Sequence, residues 1–179
     1  VIVEICVSFR KECTTKLVEE DTLKTIKLGG LKMMLPKQFT FDVDKTNQVI
    51  SWIMHEQFIN KDEAEQAREA IEALISSTFV KGACKVFADH RQLEETGKQA
   101  RLPMETSQES GKLMAWLSEY CSSVAVICGS MMMQSQMNRL ATSNGLDSKL
   151  KAFWASTPGK AVADAQAFLN ITDNKLIKG

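Results

Sequence analysis

Cys84 and His90 stand six residues apart in CKVFADH, with Asp89 directly before the histidine. A thiol near an imidazole can act as a nucleophile, because the ring takes the thiol proton and leaves a thiolate. No recognisable motif surrounds this pair, so a cysteine-dependent enzyme is only the third reading of the chain. The same two side chains supply at most half of the four ligands that a closed zinc site needs. His55 sits beside Glu56 but outside any H-E-x-x-H pattern. Gly111-Lys112 and Gly159-Lys160 fail as phosphate loops, because no glycine stands five residues earlier and no Ser or Thr follows. No catalytic residue, cofactor-binding residue or metal ligand is assigned. The chain reads as non-catalytic, with no cofactor.

Five cysteines are present, Cys6, Cys13, Cys84, Cys121 and Cys128, with no C-x-x-C pair. An odd count without paired spacing points to reduced thiols and an intracellular, reducing compartment. VIVEICVSF at the start lacks a basic stretch and carries Glu4, which argues against a signal peptide. Charge balances overall, with 22 Lys and Arg against 22 Asp and Glu, so direct nucleic-acid binding is not expected. The distribution is uneven. Residues 1–37 carry seven bases and five acids, residues 44–80 three bases and seven acids, and residues 147–179 five bases and three acids. An acidic centre between basic ends suits head-to-tail contact between copies. Lys24, Lys27, Lys32 and Lys37 are interleaved with Leu23, Ile26, Leu28, Leu31, Met33 and Met34. Such a basic, apolar surface can meet an anionic membrane or a partner, and these four lysines are the candidate contact residues.

The elements that would position these residues read as mostly helical. VIVEICVSF and FTFDV (39–43) alternate like strands. Residues 17–35 fit a short helix and turn first, and a hairpin second, because Gly29-Gly30 breaks the middle. Asp44 or Thr46 can cap a helix through VISWIMHEQFI. Asn60 with Glu63 forms a capping pair for the next helix, whose stripe is Ala67, Ile71, Leu74, Ile75 and Phe79. ACKVFADHRQLEE and DSKLKAFWAS read as short helices. Thr106 with Glu109 repeats the capping pattern for helical residues up to Ala141, and Thr157-Pro158 opens PGKAVADAQAFLN. Residues 97–106 form a loop or linker between an N-terminal part (1–96) and a C-terminal helical part (107–179), within two units or one compact domain.

SSVAVICGSMMMQSQM (122–137) is too short an apolar run to cross a bilayer, which takes about 20 residues. Consecutive Met131, Met132 and Met133 on a helix would point about 100° apart, so they would not converge on a soft metal ion. The stretch reads as the central helix of a bundle, with its methionine end near an interface.

IKLGGLKMMLPKQFTFDV, followed by successive helices, resembles the middle of orthomyxovirus matrix proteins, where a Gly- and Leu-rich segment precedes a run of helices. SSVAVICGSMMMQSQMNRLA is similar in kind to that family's buried helix. The family's strongly basic helix has no counterpart, since the corresponding region is acidic. The resemblance implies a helical, self-associating matrix protein of the virion, linking an anionic membrane surface to viral nucleoprotein. The expected fold is thus mainly α, a multi-helix bundle with a small β or extended N-terminal element. The expected function is structural, with a homo-oligomer as partner. The alternative is an intracellular helical protein-interaction module with no membrane role.

Overall fold

The computed structural model describes residues 23–28, 31–58, 60–95 and 104–179. Strands β1 (Leu23–Leu28) and β2 (Leu31–Pro36) pair antiparallel, with Leu28 opposite Leu31. A five-stranded sheet follows. It consists of β3 (Phe39–Asp44), β4 (Val49–Met54), β5 (Lys85–Asp89), β6 (Ser123–Ile127) and β7 (Leu150–Phe153), in that spatial order. β3 is antiparallel to β4, and β4 through β7 are parallel. The helices are α1 (Lys61–Thr78), α2 (Gln92–Glu95), α3 (Met104–Tyr120), α4 (Met131–Ser143) and α5 (Pro158–Leu169).

The chain is therefore an α/β fold around a mixed sheet. This corrects the mainly α, multi-helix bundle expected from the sequence. VISWIM, KVFAD, SVAVI and LKAF are strands, although each was expected within a helix. Parallel strands covered on both faces lose polar-apolar alternation, so their short apolar runs look like pieces of buried helix. The stretch 122–137 divides into β6, a connection at Cys128-Gly129, and α4 capped by Ser130, whose Oγ accepts from Met133 N. Residues 17–35 include β1 and most of β2, so the hairpin forms. VIVEICVSF lies outside the described residues, as does most of the expected linker, and 104–106 already belong to α3. The viral-matrix, virion and membrane-association expectations came from the sequence resemblance and from Lys24, Lys27, Lys32 and Lys37, and the mixed sheet lends them no support. Among the described residues no helix is long and apolar enough to cross a membrane.

Each step from β4 to β7 moves one strand in the same direction. Crossovers between parallel strands are right-handed, so unidirectional steps put every crossover helix on one face. The core follows that rule. Ile50, Trp52, Met54, Val86, Ala88, Val124, Val126, Leu150 and Ala152 pack with α1, α3 and α4. The alternate residues Val49, Phe87, Ala125, Ile127 and Phe153 face α5 and the following Ile171 and Ile177. α1 begins where Asn60 Oδ1 accepts from Glu63 N at 2.9 Å, and Asp62 and Glu63 suit the positive end of its dipole. Its buried stripe is Ala64, Ala67, Ile71, Leu74 and Ile75. The three larger members contribute roughly 1.5–3 kcal/mol each on burial.

Candidate functional site

Open parallel sheets commonly bind ligands where the strand order reverses and neighbouring helices part to opposite faces. Among the described residues the order never reverses, and no such crevice forms. The available space is internal. A cavity of about 120 Å³ lies between the sheet and α1, α3 and α4. Side-chain size creates it. α1 presents Ala64 and Ala67 to the cavity, and the sheet floor offers Val124 and Val126. Phe39, Trp52 and Phe58 wall another side, with Phe39 ring centroids 6.4 Å from Trp52 and 5.8 Å from Phe58. Met114 from α3 and Met133 and Met137 from α4 add flexible thioether walls.

Among the lining residues, Gln136 and Leu140 of α4 are exposed and Ser110 and Leu113 of α3 are half-buried, which puts the approach to solvent on the α3 and α4 side. α1 packs against α3, whereas α4 packs on β7. The anchoring of α4 explains the gap. Asn138 Oδ1 accepts from Ala152 N at 2.9 Å, and Gln134 Nε2 donates to Ala152 O at 3.2 Å. α4 thereby occupies backbone groups at the free edge of β7, which protects that edge from pairing with another chain. Only Met133 and Ala141 of α4 are fully buried.

Two polar groupings reach this apolar space. The first is His90, just after β5. Trp52 Nε1 donates to His90 Nε2 at 3.3 Å. An indole N–H can only donate, so Nε2 must accept and the neutral ring carries its proton on Nδ1. Burial pushes the His90 pKa down to about 4, against the opposing pull of the Asp89 carboxylate, so the ring is neutral near pH 7. The second grouping joins α1 to α3. Arg68 Nε donates to Glu109 Oε2 at 3.0 Å and Nη1 to Glu72 Oε1 at 3.0 Å, with Glu65 and Glu69 at 3.6 and 3.5 Å. Lys112 Nζ also bonds Glu109. Lys112 first, and Arg68 next, hold the buried Glu109 carboxyl below the usual carboxylate range. Four carboxylates thus surround two cations.

The fold separates the nucleophile pair considered from the sequence. Cys84 precedes β5 and His90 follows it, which places them about 20 Å apart along an extended strand. Cys84 is buried beside Cys121, and hydrogen bonding between them, with burial, pushes the Cys121 thiol up. A thiol in that state is a poor nucleophile. His55 serves as a brace, with Nδ1 bonded to Gln92 Oε1 at 2.6 Å and Nε2 to Thr40 Oγ1 at 2.8 Å. Lys24 and Lys27 lie on β1, Lys32 on β2 opposite Lys27, and Lys37 is exposed in the turn before β3. Among the described residues no three His, Cys, Asp or Glu side chains converge to hold a metal ion.

Sequence reasoning missed Trp52, Arg68 and Glu109 as cavity residues. Trp52 and His90 are 38 positions apart, and Arg68 and Glu109 are 41 apart, so no short motif joins them. Compared with known protein families, with curated proteins and with solved structures, the chain matches none.

Proposed function

We propose that this chain is a non-catalytic binding domain that takes a small, largely apolar molecule into the cavity beneath α1, α3 and α4. The observation that carries this reading is a space of about 120 Å³ that is walled by apolar side chains and approaches solvent on the α3 and α4 side. A dry cavity of similar size, about 150 Å³, accepts benzene in an engineered protein. The occupant therefore has roughly six to eight non-hydrogen atoms, and a molecule that small binds in the micromolar to millimolar range. Methyl NMR of 13C-labelled methionine tests this with methylcyclohexane as probe. Saturable shifts are expected at Met114, Met133 and Met137, which line the cavity, and none at exposed Met131 and Met132. Uniform, non-saturable shifts at all five would overturn the reading, as would none at all.

Self-association through α4 is a second reading. Met131, Met132 and Leu140 are 59, 53 and 37% exposed, large apolar side chains left uncovered on one helix. Sedimentation velocity decides it. A dimer dispersed by Met132→Glu supports this reading, and a monomer at high concentration removes it.

A further inference from the structure

We infer that the cavity selects a neutral molecule with an apolar body and one hydrogen-bond-accepting oxygen, such as a ketone, and that His90 Nδ1–H is the group that reads that oxygen. This inference rests on the cavity being a binding site. It concerns which of several similar small molecules enters.

The lining is apolar except at a few points, so those points set selectivity. His90 is one of them. Its Nε2 is committed to Trp52, and its Nδ1 has no hydrogen-bond partner among the described residues. A neutral imidazole with one nitrogen accepting has a single N–H to donate, and that N–H calls for an acceptor. An alkane beside the half-buried His90 offers that N–H no acceptor, whereas a carbonyl oxygen pairs it.

Charge decides against two competitors. The guanidinium of Arg68 already faces Glu65, Glu69, Glu72 and Glu109. It has little left to offer an incoming carboxylate, which would also face the Glu109 carboxylate at that wall. An ammonium carries donors only, so it would set an N–H against the His90 N–H and would also lose its hydration in the cavity. A neutral acceptor avoids both conflicts.

The test compares four ring compounds of similar size: cyclohexanone, methylcyclohexane, cyclohexylammonium and cyclohexanecarboxylate. Binding is followed by methionine methyl shifts, and the His90 ring by long-range 1H–15N NMR on the unmodified protein. The free protein should show the Nδ1-protonated tautomer. Cyclohexanone should move the Nδ1 resonance as it saturates the methionine shifts, and methylcyclohexane should shift the methionines alone. His90→Phe should weaken cyclohexanone about tenfold and change methylcyclohexane by less than about threefold. If that variant does not fold, the wild-type ring spectra decide. Methylcyclohexane binding with an unmoved Nδ1 under saturating cyclohexanone overturns this inference and leaves the cavity reading standing. Cyclohexanecarboxylate or cyclohexylammonium binding as tightly as cyclohexanone also overturns it. Failure of every probe to bind removes the cavity reading itself.

Discussion

On the face of the sheet covered by α5, Phe87, Ala125, Ile127 and Ile177 have no exposed surface, and Asn174 Nδ2 donates to buried Ser51 Oγ at 2.6 Å. The Asn174 carbonyl takes the backbone N–H of Leu176 and Ile177, so the polar group brought into this core is satisfied on both sides. Arg91 closes the same end, gripping Asp89 with two nitrogens and donating to Lys178 O at 2.8 Å. The opposite face is covered by three helices and still holds a cavity of about 120 Å³. The contrast shows that helix number does not determine closure. One helix with a well-bonded tail seals its face, while three crossover helices leave a gap because α4 is tied to the β7 edge and not to α3. The proposed binding lies where packing is incomplete, and the tightest packing lies on the opposite face.

The sealed face should carry the larger penalties. Phe87→Ala should cost about 3–5 kcal/mol in urea unfolding, since a fully buried aromatic leaves a void that its neighbours cannot fill. A loss under about 1 kcal/mol would mean that this face is loosely packed as well.

A smaller effect, on the cavity side, should come from pH. His90 is held near pKa 4 in the folded chain and returns to about 6.5 when unfolded. Between those values the unfolded state binds a proton that the folded state refuses, so stability falls as pH drops through this window. The loss is up to about 3 kcal/mol, and it is absent above pH 6.5. The pH dependence of urea midpoints for wild type and His90→Gln measures it. Parallel curves between pH 4 and 6.5 would contradict a neutral His90.

The smallest effect is also the sharpest comparison, one substitution made on each face. Ala165→Phe enters a packed interior under α5 and should cost about 1–3 kcal/mol or more. Ala67→Phe enters existing space and should shift stability by less than about 1 kcal/mol while abolishing methylcyclohexane binding. Equal penalties in thermal unfolding would show that the two faces do not differ.

The helices that fold as read, α1 and α5, carried start signals. α1 combines a 3.6-residue stripe with Asn60 and Glu63 at its start, and α5 has Pro158 in its first turn, although Thr157 makes no side-chain cap bond. β3 was legible because it is the edge strand, where Phe39, Phe41 and Val43 alternate with Thr40 and Asp42. The interior strands offered no alternation, since both faces of VAVI and VFA are buried. Their density of Val, Ile and Phe within runs of four to six residues was the available signal, and it competes poorly with a helical reading. Thr106 and Glu109 resembled a cap but lie inside α3, where both are buried. Tertiary contact gave Glu109 its role through Arg68, from a helix that lies on the other side of β5 in the chain.

A crystal held under xenon pressure tests the central claim most directly. Xenon enters dry apolar cavities of this size and not packed cores. The account predicts one xenon site bounded by Ala67, Met114 and Val126, and none between the sheet and α5. An empty or water-filled space beside Ala67 would contradict it.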